Sequence, residues 1–210
     1  PMFTTATIDG YKLRMILSAF QGLGMMEGGN TLQAGKLAEL GNSVMSLPSM
    51  ESGRALDEAR RAAISLFEPE IRTKKVRIKE DERGLIISLA ADSFFRQASA
   101  EVDIEEARDA FQKVARMLSR PELSNRKFRI EGHTDNVPTD PEGEWDTNWE
   151  LSTERATNVL HYLLDYGDAE ENQFQVAGYA DTVPLASNET EEGKAYNRRV
   201  DIVILTEGHL

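Results

Sequence analysis

Asp135 and Arg155 are an acid on a polar loop and a base on the helix that follows it. A carboxylate can take an ammonium, and a guanidinium can offer a two-pronged fork to a second carboxylate. Converging on one cleft, the two suit a zwitterionic ligand held at both ends. The blander alternative is that they pair with each other or with neighbours, which short motifs leave open. Catalysis fits less well. His133 lies two residues before Asp135, but His161 and His209 fall elsewhere in the chain and no serine sits in a nucleophile-elbow sequence. A catalytic set therefore lacks its third group. With no cysteine and no second histidine near His133, a three-ligand metal site is not expected. The expectation is no enzyme activity, no metal and no cofactor.

The elements that must position these two side chains are legible on either side of them. Phe128 and Ile130 alternate with Arg129 and Glu131, a short strand ended by Gly132. Thr147-x-x-Glu150 has the form of a capping box and opens a helix from about 148 to 165. Its apolar arc is Ala156, Val159, Leu160, Leu163 and Leu164, with Arg155 at the edge of the arc. An arginine there lays its stem on apolar surface and keeps its head at a boundary. A strand, a loop and a helix in this order present loop side chains at the carboxyl end of a sheet, where ligands commonly sit. The acidic insert Thr139–Asp146 between strand and helix reads as a solvated loop rather than a rim of the cleft.

The remaining elements complete a sheet. Lys75–Lys79 and Leu85–Leu89 alternate on either side of Asp81-Glu82-Arg83-Gly84, a hairpin whose basic first strand reads as a solvated edge. Ile104, Ala107, Phe111, Val114, Ala115 and Leu118 form one helical stripe over 103–118, and Phe94-Phe95 before it reads as a lid on the core. The segment 173–177 alternates, and Val200 to Leu205 is a nearly continuous apolar strand. The fold class that follows is an α/β (α+β) sandwich, a mixed sheet of four to five strands with helices on one face. Residues 1–69 read as a helical linker, with amphipathic stretches over 8–24, 31–47 and 54–67, and the boundary with the sheet domain is placed at 69/70.

Composition limits the partners. In 210 residues the formal net charge is −12, which speaks against nucleic acid or an anionic membrane surface, where a basic patch is needed. No apolar run approaches the ~20 residues of a membrane span.

Several of these stretches occur together, in order, in one known family. Gly132-His133-Thr134-Asp135, Asn148-x-x-Leu151-Ser152-x-x-Arg155-Ala156-x-x-Val159, Gly178-Tyr179 and Asn197-Arg198-Arg199-Val200 resemble the peptidoglycan-binding domain shared by OmpA, the Pal lipoproteins and MotB. Asp135-Asn136-Val137-Pro138, Asn148-Trp149-Glu150-Leu151-Ser152 and Glu82–Leu89 are most similar to the flagellar stator branch, that of MotB. The resemblance covers about residues 70–206. It implies a non-catalytic anchor in which Asp135 and Arg155 hold the amine and carboxylate of a diamino acid of the peptidoglycan stem peptide. Thr134, Asn136, Asn148, Asn197 and Arg198 would complete that cleft, whereas Arg199 is expected to pair with Asp201, Glu131 or a C-terminal carbonyl. It further implies a homodimer, a MotA-like membrane partner reached through a preceding membrane helix, and the periplasmic part of an inner-membrane-anchored protein. Residues 8–24 would then act as a channel plug. The alternative within the resemblance is a wall-binding domain of another envelope or secretion-system protein.

Overall fold

The computed structural model describes residues 48–96 and 98–206, apart from the side chains of 48–53. The stretches expected to be helical over 8–24 and 31–47 lie outside the described residues. Helix α1 (Pro48–Leu66) and the short α2 (Glu68–Arg72) lead into the hairpin of β1 (Val76–Asp81) and β2 (Gly84–Ala90). A single turn, α3 (Ala91–Phe94), and α4 (Ile104–Leu118) follow. Then come β3 (Phe128–His133), α5 (Asn148–Tyr166), β4 (Phe174–Gly178), α6 (Glu191–Asn197) and β5 (Arg199–Leu205). The strands form one five-stranded sheet in the order β1-β2-β5-β3-β4. Only β3 and β4 run parallel, joined through α5; the other neighbours are antiparallel. The fold is the mixed α+β sheet that the sequence patterns imply.

Period-two alternation sorts the strand side chains. Val76, Leu85, Ile87, Leu89, Phe128, Ile130, Val200, Ile202 and Ile204 enter the main core, against Phe111, Val114 and Leu118 of α4 and Ala156, Val159 and Leu163 of α5. Ile104, expected in the α4 stripe, is 41% exposed, because as the first residue of the helix it overhangs the core edge. The opposite face carries a small apolar cluster of Ile86, Val203 and Leu205 together with the charged side chains of Glu131, Arg199 and Asp201.

The compact unit begins at Pro48 rather than at the expected boundary of 69/70. Leu56, Ala59, Ala63 and Phe67 are buried in the same core as the sheet, so the stripe expected of a linker helix is part of the folded domain. The first strand also departs from a plain solvated edge. Arg77 is half-buried, donates to the Tyr196 carbonyl at 3.1 Å and lies 4.6 Å over the Tyr196 ring. Between β1 and β2, Gly84 has φ of +143°, and a Cβ there would sit 1.9 Å from the Ile204 carbonyl oxygen, so the hairpin needs glycine at this point. Among the described residues no helix is long and apolar enough to cross a membrane.

Candidate functional site

The site is built at the carboxyl end of β3. Gly132 lets α5 approach the strand closely: a Cβ on it would stand 1.8 Å from the backbone oxygen of Ser152. The loop beyond is anchored by Thr134 N donating to Ala180 O at 2.8 Å and Tyr179 N donating to Gly132 O at 2.9 Å. Asn148, at the start of α5, donates through Nδ2 to the carbonyl of Val137 at 2.9 Å and, more weakly, to that of Asp135 at 3.4 Å. The helix cap differs from a reciprocal capping box. Thr147 Oγ1 accepts from Trp149 N at 3.1 Å, not from the amide of Glu150, and its hydroxyl donates to the Glu150 carboxylate. That hydroxyl holds the Glu150 carboxyl below its ordinary range.

Asp135 is largely buried and already engaged on both oxygens. Oδ1 accepts from Val137 N at 3.0 Å and Oδ2 from Arg198 Nη1 at 2.5 Å. Arg198 in turn grips Asp92 with a bidentate fork, Nε to Oδ1 at 2.8 Å and Nη2 to Oδ2 at 2.7 Å. Asp92 first and Asp135 second raise the Arg198 pKa above its ordinary value. A carboxylate has about four lone-pair sites, so Asp135 keeps acceptor capacity for a ligand ammonium.

Arg155 is in the opposite condition. It is 4% exposed, its Nε donates to Ser99 O at 2.9 Å, and its guanidinium carbon lies 5.6 Å from the Phe95 ring centre. No carboxylate pairs with it among the described residues. Burial pushes it down to about 10; Asp92 opposes the shift, Arg198 adds to it and Asp135 opposes it more weakly. A desolvated cation with unspent donors is an anion receptor.

These groups meet in one cleft of about 660 Å³, whose walls include Thr134, Asp135, Asn148, Arg155 and Arg198. The acid and the base lie on the same cleft, but the acid's partner is Arg198 rather than Arg155. Asn136 is exposed on the loop and outside the cleft wall. Asn197 is fully buried and also outside it. Its Oδ1 accepts from Leu185 N and Ala186 N at 2.7 and 3.0 Å, and its Nδ2 donates to Ala186 O and Asn188 Oδ1 at 2.9 and 2.8 Å. All four bonds close the loop ahead of α6. Asn197→Ala should therefore cost about 2–4 kcal/mol of stability in a urea melt and leave ligand affinity within about twofold at a temperature where the variant is folded. A large affinity loss in the folded variant would return Asn197 to the site.

Three contributors were not legible from the sequence. Asp92, which carried no signal of its own, reaches the cleft from the segment after β2, as does Phe95, which read only as part of a lid on the core and is buried in that core as well. The insert, expected to be a solvated loop, instead rims the cleft through Thr139, Asp140, Gly143, Glu144 and Trp145. Its own hydrogen bonds fold it back, Thr139 Oγ1 to Asp146 O at 3.1 Å and Gly143 N to Asp140 O at 2.9 Å.

His133 ends β3 with its side chain on the same face as Glu131, whereas Asp135 lies on the loop beyond the strand and faces the cleft. Its ring is 2% exposed, stacked on Tyr179 at 5.2 Å, with Nε2 at 3.6 Å from Asp201 and 3.9 Å from Glu131. Glu131, His133 and Asp201 bring three potential ligand atoms within 4.8 Å of one another, a grouping missed because Asp201 arrives from β5. Arg83 holds Glu131 at 2.7 Å and Arg199 holds Asp201 at 2.9 Å. Both carboxylates thus carry protein counter-charges already, which suits an internal ion network better than a cage for a divalent ion. Arg199 completes its bonds on the carbonyls of Asn197 and Val183, both at 3.2 Å. A second hollow of about 460 Å³ lies at the other end of β3, where Gln173 and Lys127 spend their donors on backbone carbonyls.

Comparisons with known proteins agree with the fold. Motility protein B of Bacillus subtilis (strain 168) is similar, 34% identical over 132 residues, which make up 62% of this chain and 48% of that protein. The chain spans about half the length of the curated relatives it matches. Among solved structures, one described as a MotB like protein from Desulfovibrio vulgaris aligns with a TM-score of 0.67 at 25% identity, covering 77% of this chain and 97% of that one. The cell wall anchor of the T6SS from Pseudomonas aeruginosa aligns with a TM-score of 0.59 at 29% identity, covering 69% and 96%. The family model of the OmpA family matches residues 94–198. That stretch is half of the chain and takes in Asp135, Arg155 and Arg198, and on it the chain belongs to the OmpA family.

Proposed function

We propose that this domain is a non-catalytic anchor that binds peptidoglycan by the zwitterionic end of a diamino acid in the stem peptide. The observation that carries the reading is Arg155, buried and without a carboxylate partner among the described residues, on the same cleft as Asp135. A ligand carboxylate would supply the counter-charge that Arg155 lacks, and a ligand ammonium would occupy the acceptor sites that Asp135 retains. Similarity to Motility protein B and to the cell wall anchor of a secretion system supports an envelope role facing the periplasm. Within that role we favour the flagellar stator, with the domain tethering a MotA/MotB-like complex to the wall as a homodimer, because of the Asp135–Pro138 and Asn148–Ser152 stretches. The T6SS anchor keeps a secretion-system tether as the second reading.

Titration calorimetry with stem tetrapeptides tests the ligand. A diaminopimelate side chain ends in both an ammonium and a carboxylate, whereas a lysine side chain ends in an ammonium alone. The diaminopimelate peptide should bind about 10–100-fold more tightly than the lysine peptide, the worth of one charge-assisted contact to Arg155. Binding of neither peptide, or equal binding of both, would remove the zwitterion reading. Co-purification of a MotA-like subunit with the full-length protein from membranes separates stator from secretion anchor.

A further inference from the structure

A diamino acid head does not fill this cleft. A volume of about 660 Å³ belongs to the range that holds a whole drug-sized ligand. The space beyond Asp135 and Arg155 is walled by the insert and the loop after β3, where Val137, Pro138 and Trp145 add apolar surface. Val137 is 48% exposed, which leaves this wall without a covering side chain of the domain's own. Trp145 is half-buried, and its indole Nε1 is shielded from water without a hydrogen-bond partner among the described residues. An indole N–H normally finds an acceptor when it is buried, and leaving it unpaired is a cost that a partner would remove. The flanking Asp140 and Glu144 make a negative field over the same wall, which disfavours a free carboxylate there. An apolar face, one unspent donor and an acidic rim together suit a neutral amide-linked residue.

We infer that Trp145 forms a second subsite for the peptide residue next to the diamino acid. The indole ring packs against that residue's short apolar side chain, and a small turn of the ring lets Nε1–H donate to its amide carbonyl. The inference rests on the wall-peptide reading above and deepens it: the ligand is recognised as a peptide, not only by its zwitterionic end.

The test uses the full chain carrying Trp149→Phe. Trp145 is then the remaining tryptophan of the two in the sequence and reports on its own surroundings. The protein is titrated with free meso-diaminopimelate and with a stem tetrapeptide containing it, amidated at its C-terminus so that the alanine after the diamino acid is neutral and offers an amide carbonyl. The tetrapeptide should bind more tightly than the free diamino acid and shift the Trp145 emission. Trp145→Phe, which keeps the apolar ring and removes the N–H, should weaken the tetrapeptide about 3–10-fold. Trp145→Ala should weaken it about 30-fold or more, and melting curves check that both variants fold. Equal affinity for the two ligands, or tetrapeptide binding unmoved in both variants, overturns the subsite while leaving the zwitterion reading standing. Failure of the parent protein to bind either ligand overturns both.

Discussion

Arg155→Met should abolish binding of the wall peptide and at the same time make the domain more stable. The guanidinium is 4% exposed, has no carboxylate partner among the described residues and spends one donor on the Ser99 carbonyl. Removing it deletes the receptor for the ligand carboxylate, a charge-assisted contact in a desolvated cleft worth about 2–5 kcal/mol, so affinity should fall at least about 30-fold. The same charge is a burden on the fold itself. An unpaired buried cation replaced by a side chain of similar length and no charge returns the desolvation cost, less the Ser99 contact and the stacking on Phe95. A net gain of about 1–2 kcal/mol is expected, seen as a rise in Tm of about 2–6 °C.

The pH dependence of that gain has a definite sign. Burial holds Arg155 at about 10 in the folded state, well below its ordinary value, so the unfolded chain binds that proton more tightly. The penalty is complete below about pH 10 and fades as pH rises toward the ordinary value. The stability gap between variant and parent should therefore be constant through the neutral range and close above about pH 10. A variant that binds normally, or one less stable than the parent at neutral pH, would show that Arg155 serves the fold and not a ligand.

Gly132→Ala should be among the most damaging single methyl groups that can be added to this domain. The new Cβ would lie 1.8 Å from Ser152 O, 2.6 Å from its carbonyl carbon and 3.2 Å from its Cα. All three are backbone atoms, so no side chain can swing aside and α5 must back away from β3. Overpacking of a core costs about 1–3 kcal/mol, and a clash with fixed backbone belongs at or above the top of that range. A loss of about 3 kcal/mol or more in urea is expected, roughly 6–12 °C in Tm. Because Asp135 follows β3 and Arg155 rides on α5, the shift also separates the two ends of the site. Affinity should fall even at temperatures where the variant remains folded. An alanine variant of parental stability would mean that strand and helix are not in the close register described.

What could be read in advance was whatever depends on neighbours along the chain. The alternation of Phe128 and Ile130 and the stripe of Ala107, Phe111 and Val114 announced their elements because each pattern repeats within a few residues. The helix before residue 70 was legible as a helix, but not as part of the core, since nothing local says that Leu56 and Phe67 meet the sheet. The Asp92–Arg198–Asp135 chain of ion pairs was hidden for the same reason. So was the meeting of Glu131 and Asp201, which are directly opposite across β3 and β5. Asn197 misled differently. It stands beside Arg198 in sequence, yet its side chain turns inward to the 185–188 loop while Arg198 reaches the cleft. The insert shows the limit of composition: acidic residues on a surface connection read as solvent-facing until Trp145 is seen to face the ligand space.

Strand β5 is the last element of the described domain, yet it lies in the middle of the sheet, between β2 and β3. While the polypeptide is being made or exported, the hairpin and the cleft-bearing half have no common seam until residues 199–205 emerge. Neither portion can reach its final shape early, and a product cut short before Arg199 would expose the open flanks of β2 and β3 to other chains. The sheet, and with it the cleft at its edge, is thus completed in a single late step.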